Sequence, residues 1–444
     1  MHYEKFQDGT VKCIENEIPF ELPDGWSWAR LRDICMMSAG KSKSTVQIKS
    51  EPFEGSYPCF GGNGVRGYVD EYNQDGIFSI VGRQGALCGN INIAIGKFYA
   101  TEHAVVTTLF DGIDFKWSNY ILEALRLNNY ATGAAQPGLS VANILNVFVP
   151  VPPTQEQDRI GNSVYESLKI VEALEQEKID LQKNIITAKT KILDLAICGK
   201  LVPQDPNDEP ASVLLERIRA EKEELIKHGK IKRDKKESVI FKGDDNSYYE
   251  RVGDIISNID DEIPFELPQN WEWSRLQTIC YPITDGTHKT PTYSDSGYIF
   301  LSAKNITTGK INWNDIMYIP KSLHDELYSR VSPKMNDILL AKNGTTGVAA
   351  IVDRECEFDI YVTLALLRVV NNNISSQYLL KIIASGTIQD YFKSSLKGIG
   401  VPNLHLEHIR TTLIPIPPIN EQNKIAERIY QYYSLLDSIV QNIE

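Results

Sequence analysis

IPFELPDGWSWARLRDIC at residues 18–35 returns at 263–280 as IPFELPQNWEWSRLQTIC, with 12 identities in 18 positions at a constant offset of 245. A second pair closes what the first opens: VPVPPTQEQDRI at 149–160 and IPIPPINEQNKI at 414–425. The interiors between these bookends, 36–148 and 281–413, share little beyond scattered glycines and hydrophobics. One frame built twice around two different contents predicts two mounts of one design holding two different readers. That is a binding architecture before it is an enzyme.

A chain of 444 residues has room for two or three domains, each with its own core. No apolar run approaches the roughly 18 residues that span a bilayer, and MHYEKFQDG lacks a basic-then-apolar leader. A cytoplasmic location is expected. Seven cysteines stand far apart with no C-x-x-C spacing, which predicts free thiols rather than a disulfide frame or a zinc site. Net charge is −12, but the acidity is local. Residues 24–154 hold 10 basic and 11 acidic side chains, 269–419 hold 14 and 13, and the connecting 155–268 hold 18 and 25. Neutral heads bind DNA weakly unaided, because phosphate neutralisation supplies most of the affinity.

From Gln155 to Cys198 there is no proline, and Leu181, Ile185, Ala188, Ile192 and Leu195 keep the 4–3 spacing of a coiled-coil seam. Gly199 supplies a stop, so a helix over 155–198 is predicted, about 65 Å long at ~1.5 Å per residue. Ile425, Ile429, Tyr432, Leu436 and Ile439 repeat the stripe near the C-terminus. The two rods are expected to pack antiparallel as a spacer. A shorter helix is predicted over 210–228, followed by the basic run KHGKIKRDKK at 227–236, a solvated linker by default. Residues 3–23 also resemble 249–268, so joining the termini would build a second connector and a circular, pseudo-two-fold arrangement.

The interiors alternate short apolar stretches with Gly and Asn at 76–85, 90–100, 297–306 and 336–352, the pattern of a small twisted mixed sheet. Short helices near 116–128 and 376–392 close each head. The expected class is α+β: two α/β heads joined by long antiparallel coiled-coil helices. The boundaries read 1–23 for part of the second connector, 24–154 for the first head, 155–268 for the central connector, 269–419 for the second head and 420–444 for the terminal helix.

Catalytic motifs fail on inspection. GKS at 40–42 has Cys35 where a phosphate loop needs glycine, and no Asn/Asp-Pro-Pro-Tyr/Phe methyl-transfer segment or Gly-x-Ser-x-Gly elbow is present. His405 and His408 lack a third ligand nearby. What remains are loops with base-reading groups: Arg and Lys suit guanine edges, Asn and Gln adenine edges, Ser and Thr either. In the first head the candidates are Lys41, Ser42, Lys43, Asn63, Arg66, Arg83, Gln84 and Gln136. In the second they are Thr287, His288, Lys289, Lys304, Asn305, Lys342, Asn343, Thr345, Lys397 and Asn403. Turn composition alone looks similar. The matched frames are what turn the set toward recognition.

The bookends ending Pro150-Val151-Pro152-Pro153 with Glu156-Gln157, and Pro415-Ile416-Pro417-Pro418 with Glu421-Gln422, the two LPxxWxWxRL segments, and LAICGKLVPQDPNDEPASVLLERIRAEKEEL at 195–225 resemble the specificity subunit of type I restriction–modification systems. The resemblance covers nearly the whole chain. It implies two target-recognition domains, one per half of a bipartite DNA site, on a helical spacer that binds two methyltransferase subunits and admits restriction subunits. It implies no cofactor on this chain: S-adenosylmethionine, ATP and magnesium would belong to the partners. The spacer candidates for partner binding are Leu181, Ile185, Ile192, Leu195, Ile425, Ile429 and Leu436. One departure stands out. The terminal stripe repeats only 155–179, so Leu181 to Leu195 are expected to lack an intramolecular partner and to be covered by another subunit or a second chain. The alternatives are a coiled-coil adaptor with two ligand-binding heads, which does not explain the QDPNDEP stretch, and a degenerate methyltransferase, which would need the absent methyl-donor motif.

Overall fold

A computed structural model, described for residues 1–85, 87–133, 137–233, 237–370, 373–396 and 403–443, divides into two compact units, Met1–Glu177 and Lys178–Glu444. Unit 1 opens with a hairpin of β1 (Tyr3–Lys5) and β2 (Val11–Cys13). The WSWAR stretch forms β3 (Ser27–Arg30), the single turn α1 (Leu31–Ile34) and β4 (Cys35–Ala39). Then come β5 (Tyr57–Gly61), β6 (Gly64–Val69), β7 (Gln74–Gly82), β8 (Ile91–Ala100) and β9 (Ala104–Leu109), followed by α2 (Phe115–Ala124), α3 (Val141–Ile144) and β10 (Phe148–Val151). Six strands make one sheet in the order β4-β9-β7-β8-β5-β6, with β5 and β8 parallel. The long helix α4 (Thr154–Ile197) starts in unit 1 and ends in unit 2.

Unit 2 adds α5 (Ala211–Lys227) and the meander β11 (Ser238–Lys242), β12 (Tyr248–Val252) and β13 (Ile255–Asn258). Its frame and head are β14 (Glu272–Arg275), α6 (Leu276–Ile279), β15 (Cys280–Asp285), β16 (Tyr298–Leu301), β17 (Met317–Ile319), α7 (Lys321–Arg330), β18 (Ile338–Ala341), β19 (Ala349–Ile351), β20 (Phe358–Ile360) and β21 (Leu364–Val369). It closes with α8 (Ser376–Ile383), α9 (Gly386–Ser394), α10 (Leu406–Thr411), β22 (Leu413–Ile416) and α11 (Ile419–Ile443). Its sheets run β15-β21-β18-β19 and β17-β16-β20, with β16 and β20 parallel. That is the strand order of unit 1 with the long β8 broken into β19 and β20. The interiors, so different in sequence, hold one topology, and the class is mixed α/β as expected.

The repeated bookends pair with each other. β10 lies antiparallel to β3 with Pro150 opposite Trp28, and β22 lies antiparallel to β14 with Pro415 opposite Trp273. Proline is tolerated because each ribbon has only two strands. The Gln of each EQ dipeptide then clamps the corner. Gln157 donates to the Pro152 carbonyl and accepts from the Asp114 amide; Gln422 does the same with Pro417 and Ser375. The weaker repeat has an equally local cause. Arg30 pairs with Glu4 at 2.6 Å and Glu17 at 3.5 Å, and Arg275 pairs with Glu250 at 2.7 Å and Glu262 at 2.8 Å. So residues 3–17 dock on the first frame as 249–262 dock on the second.

Two expectations need correction. The helix anticipated over 376–392 is broken between α8 and α9, where buried, extended Ser385 (ψ 153°) interrupts the helix and Gly386 starts a new one. The coiled-coil seam is also misplaced. In unit 2 Lys189 Nζ lies 2.5 Å from Asp437, Tyr433 Oη donates to the Lys189 carbonyl, and Asp208, past the end of α4, meets Asn420 and Lys424. Thus α11 runs antiparallel along the last turns of α4, the stretch expected to lack a partner. Ile425 and Ile429 share one apolar cluster with Leu193, Ala196 and Ile197. Ile185 is buried, Ile192, Leu195 and Leu436 are half-buried, and Leu181 is exposed. An antiparallel helix covers what it meets in space, not its repeat counterpart. Leu168, Val171 and Leu174, earlier on α4, are bare, as are Leu181 and Ile186.

Candidate functional site

The loops carrying the candidates converge at one end of each sheet, held by the same backbone bonds. In unit 1 Gly40 N–H donates to Ala104, Lys41 to Ala100, Arg83 to His103 and Thr101 to Phe60, while Leu139 donates to Arg83. In unit 2 Gly286 donates to Leu364, Thr287 to Ile360, Lys342 to Thr363 and Tyr361 to Leu301, while Leu404 donates to Lys342. Isolated bridges match as well, Gln84 with Gly138 and Asn343 with Asn403. The bonds therefore equate Lys41 with Thr287, Arg83 with Lys342, Gln84 with Asn343 and His103 with Thr363. Glycine is obligatory at the crossover: a Cβ on Gly40 would stand 2.1 Å from the Ala100 carbonyl, and on Gly286 1.9 Å from that of Ile360.

Side chains at these matched positions differ in availability. Lys41, Ser42, Arg66 and Gln84 are exposed, and Arg83 is half-buried with its Nε 3.4 Å from the Leu139 carbonyl. Among the described residues no carboxylate pairs with Arg66 or Arg83. Lys43 is different: it lies 2.6 Å from Glu71 and over the Tyr99 ring, its side chain 7% exposed. Asn63 accepts from Asn90. In unit 2 Lys342 is buried 2.5 Å from Asp285, so its charge is matched inside the fold. Asn305 is a cap, accepting from the Ser302 amide and donating to the Asp315 carbonyl. Neither offers a free group to a ligand. His288, Lys289, Lys304 and Thr345 are exposed, with His288 Nε2 3.4 Å from Asp285; Thr287, Asn343 and Asn403 are half-buried. Gln136 and Lys397 lie outside the described residues.

Sequence reading missed a cleft of about 570 Å³ in unit 1, lined by Gly61–Arg66, Gln84, Gly85, Leu87 and His103. His103 sits in the TEH turn between two apolar strands, a placement that could have flagged it. Separately, His2, Glu15 and Glu21 bring one ligand atom each within 4.8 Å of one another, but Glu15 already accepts from the His2 amide at 2.6 Å. No helix among the described residues is long and apolar enough to cross a membrane.

The family model described as type I restriction modification DNA specificity domain matches residues 23–191 and 268–444, one copy per frame. The chain is similar to the EcoAI specificity subunit of Escherichia coli, 26% identical over 96% of this chain and 80% of that protein. The EcoEI specificity subunit of the same organism is 24% identical over 99% and 83%. The EcoprrI specificity subunit is 42% identical over 38% of this chain and 43% of its own length. Among solved structures the HsdS subunit from Thermoanaerobacter tengcongensis aligns with a TM-score of 0.54 at 14% identity, covering 97% of this chain and 94% of that one. A chain from a type I restriction–modification assembly study aligns at 0.55 and 14%, covering 96% and 94%.

Proposed function

The chain belongs to the type I restriction–modification DNA specificity family, and from that premise we propose that each of its two recognition domains reads one half of a bipartite, asymmetric DNA site. The observation that carries this is the matched hydrogen-bond scaffold. It presents Lys41 or Thr287 and Gln84 or Asn343 at one place on two copies of one fold, with Arg83 open where Lys342 is closed by Asp285. An identical scaffold with different side chains is how one fold reads two sequences. Recognition is this chain's role. Adenine methylation, with S-adenosylmethionine, belongs to two methyltransferase subunits docked on the helical connectors, and ATP- and magnesium-dependent restriction to further subunits. The complex works in the cytoplasm, on double-stranded DNA. Alone, the neutral heads bind DNA weakly, because few phosphate contacts release few counterions.

Long-read methylation sequencing of a strain carrying this chain with its methyltransferase partner tests the reading. We expect two unlike half-sites, separated by an unread gap and spaced about one helical turn centre to centre. A continuous palindrome, or a motif unchanged when this chain is exchanged for another, overturns it.

A further inference from the structure

Each frame carries a cleft at the same place. In unit 1 Glu17, Pro19, Trp28 and Arg30 line a cleft of about 480 Å³, and in unit 2 their repeats Glu262, Pro264, Trp273 and Arg275 line one of about 310 Å³. The aromatic mount is the same in both: the Phe20 and Trp28 ring centres lie 5.0 Å apart, those of Phe265 and Trp273 5.2 Å. The cover is not. Ile197, the last residue of α4 and 1% exposed, lines the unit 2 cleft. Phe265 packs against the apolar cluster that holds Ile197 with Leu193 and Ala196, and Ile240 of β11 clusters with Trp273. In unit 1 no residue of α4 lines the cleft; its walls are the frame, the end of α2 and the turn after it. There Phe20 is 55% and Tyr130 43% exposed, and Trp28, Ile121, Leu125 and Phe148 are half-buried.

Six large apolar side chains around one opening are not scattered surface hydrophobics; a grouped patch rich in aromatics marks a docking site. The twin cleft shows what fits. A helix ends on it with aliphatic side chains, and Gly199, at φ +67°, then turns the chain away. Charge does not call for an anion in unit 1, because Arg30 already pairs with Glu4 and Glu17. Position also favours a protein over DNA. β4 leaves the frame at Cys35 and reaches the candidate loops at Ala39, roughly 13 Å further on at ~3.3 Å per residue.

We infer that the unit 1 frame cleft is a docking site for an aliphatic helix end of the methyltransferase subunit, seated against Phe20, Trp28 and Tyr130. The inference rests on the reading above that this chain works with methyltransferase subunits, and it adds the surface and the chemistry of one contact. That subunit is the occupant because it is the partner that must stay with the recognition chain for a read site to be modified. Unit 2 fills its own cleft with Ile197, so this contact exists at unit 1 only.

The test places a photo-crosslinking phenylalanine analogue at position 20 of the full chain, assembles it with the methyltransferase subunit and maps the product by mass spectrometry. We expect a product with a helix end of that subunit. Phe20→Asp sets a charge in the cleft, and Ala124→Trp fills it from an exposed position at the end of α2. Each should weaken methyltransferase binding about 10-fold or more in calorimetry. Both alter exposed side chains, so the unfolding midpoint of the free chain should not move. Val46→Asp, at a 91% exposed apolar residue outside the cleft, should leave binding within about twofold. No product, or a product with DNA, a restriction subunit, a second copy of this chain or its own unit 2, overturns the inference. So does unweakened binding in both cleft variants, or equal weakening by Val46→Asp. If the unmodified chain forms no complex with the methyltransferase subunit, it is the underlying proposal that fails instead.

Discussion

After β7 of unit 1 the chain places Arg83, and at the same backbone position of unit 2 it places Lys342. The neighbouring strands decide what each can do. Unit 2 ends β15 with Asp285, 2.5 Å from the lysine; unit 1 ends β4 with Ala39, and Arg83 has no carboxylate partner among the described residues. One cation is neutralised inside the fold and the other keeps its charge unmatched. The frames differ in the same sense. Trp273 is 2% exposed in a cluster with Ile240, Tyr248 and Ile259, whereas Trp28, its repeat, is half-buried, with no counterpart of β11 among the described residues. Identical residues thus carry different energies in the two copies.

The largest effect expected from that contrast is at Lys342. Truncation to alanine leaves buried Asp285 without its lysine, with only exposed His288 beside it, which should destabilise unit 2 by about 3–5 kcal/mol in denaturant unfolding. Lys342→Met with Asp285→Leu should restore most of it. Arg83→Ala should cost under about 1 kcal/mol of stability and instead relax one base position by about 1–3 kcal/mol in methylation assays. Equal unfolding losses for Lys342→Ala and Arg83→Ala would break the comparison.

Next come the frame tryptophans. Trp273→Ala empties a closed site and should cost about 3–5 kcal/mol. Trp28→Ala removes a ring that water already reaches and should cost roughly 2 kcal/mol less. Separate unfolding transitions for the two units, followed by site-specific fluorescence, give both numbers. The reverse ranking would mean that an unseen partner covers the first frame more fully than β11 and its neighbours cover the second.

The frames were legible in the sequence because their side chains do the packing: both tryptophans, the EQ clamp and the Arg30 and Arg275 ion pairs are read directly as repeats. The common topology of the interiors was not, because it is held by backbone bonds that leave no trace in residue identity. Among the candidates, loop composition could not separate Arg66, Arg83 and Gln84, which carry no carboxylate partner among the described residues, from Lys342 and Asn305, which are engaged inside the fold. The partner of Lys342 lies 57 residues away, and Asn305 caps a turn whose Ser-x-x-Asn pattern looks like a loop. The helical seam was visible but not its register, since repeat alignment is parallel by construction and the helices pack antiparallel.

A smaller difference concerns the two EQ motifs under changing pH. Glu421 is buried, accepts from Trp271 Nε1, and has a pKa pushed up to about 7 by burial first and then by nearby Asp208. Glu156, at the same place in unit 1, is half-exposed. Folded unit 2 therefore holds the Glu421 proton more tightly than the unfolded chain, whose carboxyl titrates near 4.5. This contribution to stability is complete below about pH 4.5 and is lost as the pH rises through about 7. Glu421→Gln should remove that slope from the unit 2 transition, and Glu156→Gln should leave the unit 1 transition unaltered. A slope that survives Glu421→Gln assigns it to another group.

The smallest expected effect decides between two segments of one helix. If α11 lies along the last turns of α4, Lys189 and Asp437 are neighbours; if it lay along 155–179, as repeat alignment suggests, they would not be. The pair is partly exposed, 28% and 55%, so solvent screens it and the coupling should be only about 0.2–1 kcal/mol. A double-mutant cycle with Lys189→Ala and Asp437→Ala resolves this if run at low and high salt, since a screened ion pair weakens as salt is added. The Tyr433 hydroxyl bond to the Lys189 carbonyl supplies an independent arm, because Tyr433→Phe removes that bond without touching any charge. A coupling that falls with salt, together with a salt-independent loss in Tyr433→Phe, fixes the antiparallel register. Zero coupling in the cycle and no loss in Tyr433→Phe would detach α11 from this stretch. Leu193, Ala196 and Ile197 would then need another partner.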